Sequence, residues 1–208
     1  SVLPATIPML LVLPEKLQSF ESWQTFTSGI YLAGWDNATG KTADLDPLWD
    51  VSEFNITYTF NTTLLRVFSV TVDPDGWFAH FWPEGVLVVK QSINPSEGTV
   101  KLVFQGVPSS NGTHTAPFGQ GRIAAIGLQS IHDATAYPPS SCSLDLSPTT
   151  ITGFPHPERP ETPWNGSDLP PQLTHKTKNA VYTAFAIPSG RSIDIYTQYP
   201  DGLNGKGP

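Results

Sequence analysis

Val51-Ser52-Glu53-Phe54-Asn55-Ile56-Thr57-Tyr58-Thr59-Phe60 is the stretch from which the fold is read. Successive side chains of a strand leave on opposite faces, and here Phe54, Ile56, Tyr58 and Phe60 alternate with Glu53, Asn55, Thr57 and Thr59. Asn55-Ile56-Thr57 is also an acceptor sequence for an N-linked glycan. A glycan has to face water, so Asn55 belongs to the outer face and the aromatic parity to the core.

Four more apolar runs follow, separated by turn chemistry. Asn61-Thr62-Thr63 leads into Leu64–Val72, which is apolar on both parities and so reads as a central or covered strand. Asp73-Pro74-Asp75-Gly76 is a strong turn, because proline presets φ at the second position and glycine accepts a positive φ. Trp77–Trp82, Val86–Ile93 and Thr99–Gly106 read as the third, fourth and fifth strands. Loops this short predict antiparallel neighbours, and five strands in series predict a meander that curls into a closed barrel, an architecture of the lipocalin kind.

Flanking runs bring the expected total to eight or nine strands. Ser28–Trp35 precedes the meander and Arg122–Ile131 follows it. Val181–Ile187 and Ser192–Gln198 read as a hairpin around Pro188-Ser189-Gly190. Lys16–Phe26 is the one expected helix, and residues 1–16 read as an extended arm. Residues 137–172 carry nine prolines and read as a long loop wrapping the body, since such a run does not pair inside a sheet. The expectation is one all-β domain over 1–208.

Of eight asparagines, five stand in glycan sequons: Asn37, Asn55, Asn61, Asn111 and Asn165. Chance places a hydroxyl residue two positions on in only about one or two of eight. Asn94 is blocked by Pro95. The excess points to a secreted glycoprotein of the secretory pathway. The apolar N-terminus, interrupted by three prolines, reads as a mature start from which a signal peptide has been removed. No apolar run is long enough for a membrane-spanning helix. The formal net charge is −7 with no basic run, which excludes nucleic acid and anionic membranes as natural partners. Charged residues make up only 14% of the chain, against 21 prolines and 17 glycines, the style of a secreted protein of a filamentous fungus. Cys142 is the only cysteine, either a small buried thiol or a cross-link to another chain.

Signatures of nucleotide binding, nucleophilic hydrolysis and zinc are missing, and the five histidines never occur in a close pair. The expectation is therefore no metal and no organic cofactor. Trp77-Phe78-Ala79-His80-Phe81-Trp82 is the most unusual segment. It reads either as plain core with a satisfied histidine, or as the wall of an apolar cavity with His80 as its polar group, oriented by Glu84. On the second reading Tyr58, Phe60, Trp77, Trp82, Phe104 and Phe185 line a site for a small apolar molecule. His80 would be the acid or base of a cofactor-independent cyclase or isomerase in a biosynthetic pathway. The alternative is a carbohydrate-binding or cell-wall interaction module without catalysis, with Trp35, Trp49 or Trp164 as a flat platform. His132-Asp133 is a further, weaker candidate, because neighbours on a strand face opposite ways.

Overall fold

The computed structural model describes residues 6–73, 76–131, 139–154 and 172–185. Twelve strands run in chain order: β1 (Thr6–Leu13), β2 (Lys16–Ser19), β3 (Thr25–Asp36), β4 (Lys41–Ala43), β5 (Val51–Thr59), β6 (Leu65–Val72), β7 (Val86–Asn94), β8 (Thr99–Gly106), β9 (Gly121–Ser130), β10 (Ser140–Gly153), β11 (Lys176–Lys178) and β12 (Ala180–Ala184). Two one-turn 3-10 helices, Pro47–Trp49 and Ala79–Phe81, are the only helical residues among those described.

The β5 parity is as the sequence predicts. Phe54, Ile56 and Tyr58 are fully buried, Phe60 is nearly so, and Asn55 is exposed. The pairing is not. β5 lies between β8 and β10, while β6, which follows it after a short turn, pairs with β9 in another sheet. The chain crosses from one sheet to the other at Asn61, whose carbonyl accepts from the Leu64 and Leu65 N–H groups. A short connection thus spans the end of a sandwich instead of closing a hairpin.

The meander does not close into a barrel. Two six-stranded mixed sheets form instead. In the first the order is β11-β1-β3-β9-β6, with β4 added to β3; in the second it is β2-β12-β10-β5-β8-β7. Leu10, Ile30, Leu32, Ile126 and Leu128 of the first sheet meet Phe54, Ile56, Leu102, Phe104, Leu144 and Ile151 of the second in one continuous core. The Tyr58 hydroxyl donates to Ser28 Oγ at 3.0 Å and ties the two sheets together inside that core. Burial pushes its phenol well above the ordinary range.

One edge is sealed by strands that change sheet. β1 and β2 are separated by Pro14 and lie in different sheets; β11 and β12, separated by Asn179, run parallel beside them and switch at the same level. The expected helix over Lys16–Phe26 is therefore β2, a turn and the start of β3. Leu17 and Ser19 point inward with period two, and Leu17 packs into the core. The expected arm is mostly β1.

β10 corrects the loop expected over 137–172. It is a 14-residue strand in the middle of its sheet, paired with β5 on one side and β12 on the other. Pro148 is tolerated there because it falls in a bulge, where the register shifts between Leu146 and Thr149. The Asn179 side chain accepts from the Leu146 N–H at 3.0 Å beside that bulge. Residues 155–171, including Trp164 and Asn165, and the second strand of the expected C-terminal hairpin lie outside the described residues.

Replacing Asn179 with alanine leaves the Leu146 N–H without this partner and should cost about 1–3 kcal/mol in chemical denaturation, whereas Asn179→Asp, which keeps an acceptor, should cost less. Equal stability of all three proteins would show that the bulge does not depend on this bond.

Candidate functional site

The aromatic segment at 77–82 is not a strand. Trp77 meets Phe81 edge-on at 5.2 Å and Phe78 meets Trp82 at 5.8 Å, the i, i+4 spacing of a helical turn. The segment plugs one end of the sandwich. Phe78 enters the core against Phe54 and Phe104. Trp77 lies on Gly121 of the first sheet and Trp82 on Gly106 of the second, so close that a Cβ on either glycine would fall 2.2 or 2.0 Å from an indole carbon. His80 is left on the outside, exposed, and Glu84 is exposed as well. The residues expected to wall a cavity fill it instead: Tyr58, Phe60, Trp82 and Phe104 are buried members of the core, and Trp77 packs against it. Phe185 stacks on Phe20 at 5.3 Å, beyond the end of β12.

A histidine that the sequence did not single out is held by several partners. His114 Nε2 lies 2.8 Å from Asp50 Oδ1, its ring stacks on Trp82 at 4.5 Å, and Phe154 covers it at 4.8 Å. Asp50 holds a left-handed backbone, φ 44°, at the C-terminus of the first 3-10 turn. The pair pins the loop after β8 to the start of β5. Sixty-four residues separate the partners, so no local pattern announces them. His175 is bonded to Thr149 Oγ1 and the Leu173 carbonyl. His132-Asp133 lies outside the described residues. Among the described residues no group of three or more His, Cys, Asp and Glu side chains is placed to hold a metal ion.

Among the described residues no two tryptophans form a flat exposed pair. Trp49 is buried and its Nε1 donates to the Thr6 carbonyl. Trp35 is half-buried under the Lys176 ammonium, 4.9 Å from the ring centre. Trp23, which the sequence analysis passed over, is exposed with the Arg66 guanidinium 5.0 Å from its ring centre. Cys142 is half-buried opposite Tyr182, and burial pushes its thiol up.

The surface that stands out is the edge where the sheets are not sealed. β6 ends one sheet and β7 the other, and among the described residues one side-chain bond, Gln91 Nε2 to the Val70 carbonyl, links them. Every residue from Leu87 to Ile93 is exposed. Four of them, Leu87, Val88, Val89 and Ile93, are large and apolar, and Phe68 on β6 adds a ring that is 55% exposed. Bulges coincide with this exposure: the register slips between Val88 and Lys90 on β7 and between Val67 and Ser69 on β6, which pushes Val89 and Phe68 out of the ladders.

No family model matches the chain, and no curated protein matches it. Solved structures do. A chain of a type I cohesin–dockerin complex from Clostridium thermocellum is similar over 90% of this chain and 99% of its own, with 12% identity and a TM-score of 0.59. A type I cohesin from Pseudobacteroides cellulosolvens is similar over 90% and 97%, with 12% identity and a TM-score of 0.55. The sixth cohesin of a scaffoldin from Acetivibrio cellulolyticus, solved with a dockerin, is similar over 88% and 100%, with 13% identity and a TM-score of 0.51. At these identities the likeness establishes a cohesin-like β-sandwich and nothing narrower. The cyclase or isomerase reading and the small apolar ligand are overturned: the expected cavity is occupied by the core's own side chains, and the similar structures are cohesins, two of them solved with dockerins.

His114→Ala should lower stability by about 1–3 kcal/mol, because it strips a ring from Trp82 and a partner from Asp50. His80→Ala should stay within about 0.5 kcal/mol of the parent. Thermal melting of both variants checks the contrast, and an equal loss would contradict the placement of His80. The raised Cys142 thiol should react with iodoacetamide at about pH 8 more slowly than the unfolded chain does, the difference vanishing in guanidinium. Equal rates would mean that the thiol is not shielded.

Proposed function

We propose that this chain is an extracellular binding module that recognises another protein along the open β6/β7 edge. The observation that carries the reading is β7 itself. A nine-residue edge strand is about 30 Å long, and its outer side pairs with no described strand. Natural sheets blunt such edges with charge; this one offers Lys90 amid Leu87, Val88, Val89 and Ile93. A long apolar edge on a secreted protein calls for a protein surface to cover it, through added main-chain bonds and apolar contact.

Two further facts support a protein partner. The similar structures from Clostridium thermocellum and Acetivibrio cellulolyticus are cohesins in complex with dockerins. No described sequon asparagine lies on β6 or β7. Asn37, Asn55, Asn61 and Asn111 are exposed, whereas Asn94, the one asparagine of β7, is followed by Pro95 and accepts no glycan. Asn61 and Asn111 turn their amide oxygens to their own sequon threonines, Thr63 and Thr113, leaving the nitrogen that would carry a glycan uncommitted among the described bonds. Secretion and glycosylation at these asparagines belong to the same reading. Among the described residues no helix is long and apolar enough to cross a membrane.

The test immobilises the glycoprotein and passes over it the culture fluid of the cells that secrete it. A retained protein should be lost from a Leu87→Lys, Val89→Lys double variant that melts at the parent temperature. A weakening of about a hundredfold or more is expected, since buried unpaired charge at an interface centre is strongly penalised. Retention that survives the double variant would refute the edge as the docking site.

A further inference from the structure

We propose a second, separate site: a cleft on the outer face of the first sheet that binds a carboxylate-bearing oligosaccharide of the uronic-acid class. It rests on observations independent of the β6/β7 edge. In the order β11-β1-β3-β9-β6, the cleft lies over β11, β1 and β3 beside β4, at the opposite end from β6.

The register builds the cleft. Lys176, Met9 and Ala33 are cross-strand partners in one row; Lys178, Leu11 and Tyr31 form the next; Trp35 faces Thr42 across the β3/β4 hairpin. Partners in a row share a face, so the outer side of this sheet carries its own small apolar cluster of Met9, Leu11 and Ala33, flanked by Leu13, Tyr31 and Trp35. Met9 is only 2% exposed although it lies on the outer face. Above this floor opens a cavity of about 520 Å³ lined by Met9, Trp35, Thr42 and three lysines, Lys41, Lys176 and Lys178.

The charge is the unusual part. The chain carries net charge −7 and seven lysines, yet three of the seven converge here. Among the described residues no carboxylate lines the cavity. Glu15 pairs with Lys178 from outside it. Asp36 faces Lys41 across the hairpin, but its carboxylate already accepts from the Ala38 N–H and the Thr39 hydroxyl, the Thr39 bond first in holding it below its usual range. Lys176 rests on the Trp35 indole, and Lys41 bonds no described carboxylate. A cationic rim in a chain that is otherwise acidic selects an anion.

The rest of the lining selects a sugar. The half-buried Trp35 indole offers flat apolar surface for the C–H face of a pyranose above the buried Met9, and Thr42, the cross-strand partner of Trp35, adds a hydroxyl for its polar edge. A cavity of this size accommodates a short oligosaccharide. The lysine ammonium groups then meet the ring carboxylates as point charges.

Tri-galacturonate titrated into the glycoprotein, and into the same protein after enzymatic removal of its N-glycans, tests the assignment by calorimetry and tryptophan emission. Binding should appear in at least the deglycosylated form, since Asn37 adjoins the cleft. It should weaken as salt rises, and weaken at least tenfold in a Lys41→Gln, Lys176→Gln double variant that melts like the parent. The methyl ester of the same trisaccharide should bind at least tenfold more weakly. No binding to either form of the protein would overturn the proposal, as would equal binding of the methyl ester. Preference for a tetra-aspartate peptide over the trisaccharide would overturn the saccharide assignment in favour of an acidic peptide. The Leu87→Lys, Val89→Lys variant should bind the trisaccharide normally, so the two sites stand or fall separately.

Discussion

The inward row of β5 is the constraint on which the rest of the structure depends. Phe54, Ile56 and Tyr58 are fully buried, and each such side chain contributes about 2 kcal/mol by leaving water. Shifting β5 by one residue would bring Asn55 and Thr57 into the core and put three large side chains in solvent. Once the row is fixed, Phe54 stacks on Phe104, its partner in β8, Ile151 faces Phe54 from β10, and Tyr58 reaches Ser28 in the opposite sheet. The two layers are thereby held face to face with their interior filled.

Filling the interior decides where function can reside. The end of the sandwich is stopped by Phe78, with Trp77 and Trp82 laid on the backbones of Gly121 and Gly106. One edge is sealed by strands that change sheet at Pro14 and Asn179, and the opposite edge, between β6 and β7, is held among the described residues by one side-chain bond. Apolar side chains that the core did not take, Phe68 and Val89 among them, are concentrated at that unsealed edge. The proposed binding by surfaces is in keeping with an interior that the core's own side chains fill.

Much of this was legible in the sequence, because strand parity is a local property. The bounds of β5, β7 and β8 were readable to within a residue, and the sequon at Asn55 identified the outer face independently of hydropathy. Sheet membership was not legible. Nothing in Asn61-Thr62-Thr63 says whether the chain turns back beside β5 or crosses to the facing sheet, and the barrel expectation rested on the first choice. Proline content misled at β10, where a bulge around Pro148 absorbs the missing N–H within a central strand. The segment at 77–82 misled because four aromatics in six residues satisfy period two and period four alike. The pairing of His114 with Asp50, and the gathering of Lys41, Lys176 and Trp35, join residues far apart in the chain, so only the fold reveals them. The exposure of β7 was not legible either, because an apolar run with one lysine reads as buried.

The most direct test of a filled sandwich that works through its surface is native mass spectrometry of the protein purified without denaturation from the cells that secrete it. The account predicts the mass of the polypeptide with its N-glycans, alone or in complexes with whole proteins or saccharide. A small apolar molecule held in stoichiometric amount, and released only when the protein unfolds, would contradict it.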